Sequence, residues 1–122
     1  MKKIKVAVNG FGRIGRVFTR SLLSHNNIEL IAINDLVDAQ TLSYLLKYDS
    51  IHGLYPGEIT CAGNKIFINN SQVNVFSERD PENLPWAELG VDVVIESTGF
   101  FRNYEAASKH ITAGAKKVII SA

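Results

Sequence analysis

The stretch VAVNGFGRIG, residues 6–15, constrains the fold of this chain more than any other. It begins as a run of small and branched apolar residues and breaks into three glycines, Gly10, Gly12 and Gly15, spaced two and three apart. A helix that starts directly after a tight turn at the end of a buried strand points its free backbone N–H groups and its positive dipole end at one place. A diphosphate suits that place. Gly10 allows the turn, Gly12 allows close approach of phosphates to the backbone, and Gly15 allows helix and strand to pack closely.

The surroundings of the glycines match that reading. Apolar runs recur at IKVAV (4–8), IELIAI (28–33), VDVVIE (91–96) and KKVIIS (116–121). Their near-continuous hydrophobicity predicts strands buried on both faces, as in parallel sheets. Between the first two lies RIGRVFTRSLLSHNN, in which Ile14, Val17, Phe18 and Leu22 follow a helical period and Arg13, Arg16 and Arg20 fall between them. It reads as a crossover helix ended by Asn26 and Asn27. A second helix follows in DAQTLSYLLKY, with Asp38 as N-cap and Leu42, Leu45 and Leu46 as its buried stripe. Strand and helix in alternation give an α/β chain with a doubly wound, mostly parallel sheet of Rossmann type.

The middle third interrupts the alternation. Short alternating segments between 54 and 81 surround turn signals at Ala62-Gly63-Asn64 and Asn69-Asn70, which predicts an inserted hairpin and a further strand from Val73 to Phe76. PENLPWAEL reads as a short helical turn, and NYEAASKHITAG as a full helix that Gly114 terminates. No repeat or linker divides the 122 residues, so a single domain is expected.

Asp35 stands twenty residues after Gly15, at the end of the second predicted strand. An acid there accepts hydrogen bonds from the ribose hydroxyls of adenosine and repels a 2′-phosphate, which points to NAD and away from NADP. Other chemistries have little support. Thirteen basic residues against twelve acidic ones, with no basic stripe or aromatic platform, speak against nucleic acid. No apolar run reaches a membrane span of roughly 18 to 20 residues, no cleavable leader is evident, and a cytoplasmic protein without a membrane partner is expected. The single cysteine, Cys61, can form neither an intramolecular disulfide nor, alone, a zinc site, and no metal is expected.

Six blocks occur in order: VAVNGFGRIGR, INDLVD, LLKYDSIHG, ERDP, PWAELGVDVVIESTGFF and AGAKKVIISA. Over essentially its whole length the chain resembles the N-terminal NAD-binding domain of phosphorylating glyceraldehyde-3-phosphate dehydrogenases. The resemblance implies that Phe11, Gly12, Arg13 and Ile14 line the pyrophosphate and that Asn34, Asp35 and Leu36 surround the adenosine. Arg79 would lie along the adenine edge. Ser97, Thr98 and Gly99 would turn beneath the cofactor with Phe100 and Phe101 beside it, and Ser121 would make a last contact. It also implies a homotetramer, with the segment around His52 among the subunit contacts. His110 and the tyrosines read as structural, and His25 as a cation at a helix end.

The family reaction oxidises glyceraldehyde 3-phosphate with NAD and inorganic phosphate to 1,3-bisphosphoglycerate, through a thiolate beside a histidine. Cys61, in the predicted hairpin, reads as a small buried hydrophobe and not as that nucleophile. Residues 1–122 are therefore expected to be a cofactor-binding domain without the catalytic one, binding NAD without turnover. The cofactor domain of erythrose-4-phosphate dehydrogenase and a stand-alone nucleotide-binding module remain the alternatives.

Overall fold

The computed structural model describes residues 3–10, 13–23, 27–49, 53–54, 58–68, 71–97 and 104–120. The first strand, β1 (Ile4–Asn9), alternates its burial between two layers: Val6 and Val8 face one side of the sheet and Ala7 the other. The helix α1 (Arg13–Leu23) leads to β2 (Ile28–Asn34), which pairs with β1 in parallel. Next come α2 (Ala39–Lys47) and two short antiparallel segments, β3 (Tyr48–Asp49) and β4 (Gly53–Leu54). The strands β5 (Ile59–Ala62) and β6 (Lys65–Ile68) form an antiparallel hairpin, and β7 (Ser71–Phe76) returns the chain to β2. A 3-10 turn (Pro81–Asn83) and the short α3 (Trp86–Leu89) precede β8 (Val93–Glu96), α4 (Tyr104–Ala113) and β9 (Lys117–Ile120).

The sheet runs in the order β5-β6-β7-β2-β1-β8-β9, in which β7, β2, β1, β8 and β9 are parallel and the hairpin extends one edge. This is the doubly wound arrangement. The strand order reverses between β1 and β8, where such sheets open a crevice at their carboxyl ends. On one face Val6, Val8, Leu30, Ile33 and Ile95 pack under α1 and α2 through Leu22, Ala39, Leu42 and Leu46. On the other, Ala7, Ala32 and Val94 are covered by Leu84, Trp86, Ala113 and Ala115. The two alanines leave room for the indole of Trp86, which is wholly buried and meets Phe76 edge-on at 6.1 Å.

Local chemistry sets the element ends. Asp38 has extended backbone and its carboxylate accepts the Thr41 N–H at 2.7 Å, capping α2. Gly114, at φ 122°, ends α4 against the Ala87 backbone, leaving no space for a Cβ.

Several expectations need correction. Val17, which the sequence reading placed in the apolar stripe of α1, is 38% exposed, because the face of α1 turned to the sheet runs through Gly15, Thr19 and Leu22. The helix α1 runs to Leu23, and of the Asn26-Asn27 pair only Asn27 is described, in a turn. The PENLPWAEL segment is two short pieces separated by Leu84 and Pro85. Leu45 is half-buried, unlike Leu42 and Leu46. β9 is not buried on both faces: it is the edge strand, and Ile119 and Ile120 are exposed. Cys61 is half-buried, packed against the core and close to the Gly63 carbonyl. Among the described residues no helix is long and apolar enough to cross a membrane, and no group of three or more metal-ligating side chains converges.

Candidate functional site

Three neighbouring parallel strands end in a polar residue: β1 in Asn9, β2 in Asn34 and β8 in Glu96. The register sets Asn9 beside Asn34 on one side and beside Glu96 on the other. A bulge makes that alignment possible. Val6 pairs with Leu30 but Ala7 with Ala32, so Ile31 is an extra residue in β2. Without it Asn9 would stand beside Ile33, whose side chain packs in the opposite layer.

The aligned side chains are buried and joined in one line. The Asn34 amide donates to Asn9 Oδ1 at 2.7 Å and to the Glu78 carbonyl at 2.8 Å, and its Oδ1 accepts the Glu78 N–H at 2.9 Å. The Asn9 amide donates to Glu96 Oε1 at 2.6 Å. His110 Nε2 lies 2.7 Å from the same oxygen, and the Trp86 indole N–H donates to His110 Nδ1 at 3.0 Å. An indole nitrogen can only donate, so Nδ1 must accept and the ring proton sits on Nε2, directed at Glu96. His110 and Glu96 are thus joined by a hydrogen bond from a neutral ring and not by a full ion pair. The 3.3 Å approach of Asn9 Nδ2 to His110 Nε2 is a contact between two donors sharing one acceptor.

Above this row the chain turns into the crevice. Gly10 takes φ 92°, a conformation open to glycine, and its N–H continues the ladder to the Asn34 carbonyl at 2.8 Å. Ser97 reaches across from the end of β8: its N–H donates to the Asn9 carbonyl at 2.8 Å and its hydroxyl to the Gly10 carbonyl at 2.7 Å. Gly15, one turn into α1, lies so close that a Cβ would run into the Gly10 carbonyl oxygen and stand 2.9 Å from Ser97 Oγ. The first turn of α1 carries no acidic residue, so nothing of that sign opposes its positive end. Close backbone packing, a turn that needs glycine and a helix start without a carboxylate together suit a diphosphate.

Asp35 follows Asn34 at the rim. Its N–H donates to the Phe76 carbonyl at 2.9 Å, and its carboxylate accepts the Val37 N–H at 3.0 Å, which turns the chain toward α2 and fixes the acid beside the crevice. Leu36 is 57% exposed next to it. Arg79 is exposed on the segment after β7, directly after the Glu78 that Asn34 clamps.

Of the residues singled out in the sequence, the structure therefore brings together Gly10, Gly15, Asn34, Asp35 and Ser97, with Leu36 and Arg79 at the margin. Arg13 and Ile14 open α1, their side chains undescribed. Phe11, Gly12, Thr98, Gly99, Phe100, Phe101 and Ser121 lie outside the described residues, as do His25 and His52. Asn9 and Glu96 were not singled out, and His110 was read as structural. The signal that could have found the first two is the polar residue closing each apolar run, in IKVAVN, IELIAIN and VVIE.

Residues 4–104 match the family model described as the glyceraldehyde 3-phosphate dehydrogenase NAD binding domain. Among curated relatives, the glyceraldehyde-3-phosphate dehydrogenase of Geobacillus stearothermophilus is 56% identical over 119 residues, 98% of this chain. That of Thermotoga maritima is 54% identical over 120 residues, or 97% of the chain. The cytosolic enzyme of Trypanosoma brucei brucei is 52% identical over 118 residues, also 97% of the chain. In each case the match spans 36% of the relative's own length.

Proposed function

The chain belongs to the family of glyceraldehyde-3-phosphate dehydrogenase NAD-binding domains, and from that premise we propose that its crevice between β1 and β8 holds NAD for a phosphorylating aldehyde dehydrogenase. The observation that carries this reading is the convergence of Gly10, Gly15 and Ser97 at the point where the strand order reverses, with Asp35 at the rim. The glycine turn and the start of α1 receive the pyrophosphate on backbone N–H groups. Asp35 accepts the adenosine ribose hydroxyls, and its charge disfavours a 2′-phosphate. Arg79 covers the adenine edge, and Ser97, with Thr98 and Gly99, supports the nicotinamide half. When bound, NAD supplies the hydride acceptor.

The substrate chemistry is assigned elsewhere. Cys61 is on β5, four strands from β1 in the sheet, which at about 4.8 Å per strand is about 19 Å from the crevice. It does not serve as the thiolate. We assign the nucleophilic cysteine, its histidine and the phosphate sites to parts of the protein beyond these 122 residues, and the reaction to oxidation of glyceraldehyde 3-phosphate with inorganic phosphate. Residues 1–122 form the NAD-binding domain of that enzyme, a cytoplasmic homotetramer. The exposed Tyr44 on α2 and Tyr48 directly after it, with ring centroids 4.9 Å apart, are suited to a subunit contact.

Calorimetric titration with NAD and NADP, repeated on Asp35→Ala, tests the reading. NAD is expected to bind tighter, and Asp35→Ala to weaken NAD by about tenfold while narrowing its advantage, the effect of one or two lost hydrogen bonds to a charged group. Equal affinities for the two nucleotides in the wild-type protein would contradict the role of Asp35.

A further inference from the structure

The buried line Trp86, His110, Glu96, Asn9, Asn34, Glu78 passes beneath the crevice from the α4 side of β8 to the segment after β7. Four of its members each immediately precede a residue assigned above to the cofactor: Asn9 precedes Gly10, Asn34 precedes Asp35, Glu78 precedes Arg79 and Glu96 precedes Ser97. Resting on the NAD reading, we propose that His110 and Glu96 are positioning residues for the dinucleotide. They hold Asn9, and through it the Asn34 side chain, so that the strand ends carrying the ligand contacts keep a fixed spacing.

Three features carry this assignment. The line crosses three neighbouring strands, β8, β1 and β2, in one aligned row and ends on the Glu78 backbone in the segment after β7, and the β2 bulge is what brings Asn34 into it. Packing alone does not call for such a row. The layer around it is apolar, built of Ala7, Ala32, Val94 and Trp86, and apolar side chains of similar volume would fill the same space without needing partners. Its polarity is also directional: Trp86 fixes the His110 tautomer, His110 and Asn9 converge on one Glu96 oxygen, and Asn34 grips both backbone groups of Glu78. A satisfied buried network of this kind fixes relative positions more tightly than apolar contacts do. His110 sits on α4 and its hydrogen bonds go to Glu96 and Trp86, so its hold on the strand ends passes through Glu96.

The test compares His110→Leu with His110→Gln in the intact protein carrying this chain, titrated with NAD where circular dichroism shows each variant folded. Leucine removes both the donor to Glu96 and the acceptor for Trp86, whereas glutamine returns an N–H to Glu96. The leucine variant is expected to weaken NAD binding by about tenfold or more and the glutamine variant to stay within about threefold of wild type, the scale on which supporting hydrogen bonds act on a binding site. A network that only stabilises the fold would lower the melting temperature of His110→Leu and leave NAD affinity unchanged, and that result overturns the proposal. Absence of NAD binding by the wild-type protein would overturn the cofactor reading as well. Should His110→Leu not fold, the wild-type protein still decides the question. The indole N–H resonance of Trp86, assigned by its loss in Trp86→Phe, is expected to shift on saturation with NAD, and an unmoved resonance would refute the coupling.

Discussion

A side chain on Gly15 has nowhere to go, since its first carbon would meet the Gly10 carbonyl and Ser97 Oγ, which are held to each other by a hydrogen bond. Gly15→Ala should therefore destabilise the fold by about 1–3 kcal/mol, the usual cost of overpacking, and weaken NAD binding by displacing the turn at Gly10. Thermal melts and titration with NAD check both; unchanged values would mean that the turn yields freely. Gly10 and Gly15 were legible in the sequence because their spacing after an apolar run marks a tight turn. Asn9 and Glu96 were not, because a polar residue closing a strand reads as the strand's end. Only the register, with its extra residue at Ile31, shows that three such ends lie side by side and bond to one another. His110 was legible as buried structure, but its link to Glu96 depends on an approach between α4 and β8 that no local pattern announces.

At the level of elements, helices announce themselves by their caps. The Asp38 carboxyl is held below the usual carboxylate range by the Thr41 backbone N–H first and the Thr41 side chain second. A depressed folded-state pKa means that its stabilisation is fully present above the unfolded value of about 4 and is lost as the pH falls through the lower folded value. Asp38→Ala should accordingly lower the melting temperature at pH 7 but converge with wild type in strong acid, whereas Asp38→Asn should retain much of the cap. A gap independent of pH would assign the loss to something other than the charge. Hydrophobic runs located β1, β2, β8 and β9 to within a few residues, yet they could not separate a central strand from an edge. KVII reads like IKVAV, and only the strand order reveals that, among the described residues, no strand pairs with the outer side of β9. The same ambiguity misplaced Val17, because glycine and threonine at 15 and 19 hide the buried face of α1 from a count of apolar residues.

For the whole molecule, alternation of strands and helices was enough to give the doubly wound sheet, since parallel neighbours require crossovers and crossovers prefer one hand, while the turn signal at Ala62-Gly63-Asn64 gave the hairpin that interrupts it. What alternation leaves open is how far each strand slides against the next, and the crevice depends on that slide. With β1, β2 and β8 ending level, Gly10, Asp35 and Ser97 lie side by side at one end of the sheet. The most direct test of the account is to follow the backbone amide resonances of the ¹⁵N-labelled protein as NAD is added. The account predicts that Gly10, Asp35 and Ser97 move together with a single affinity, while amides of the β5–β6 hairpin at the far edge of the sheet stay in place. Movement confined to the hairpin, or no movement at the three strand ends, would contradict it.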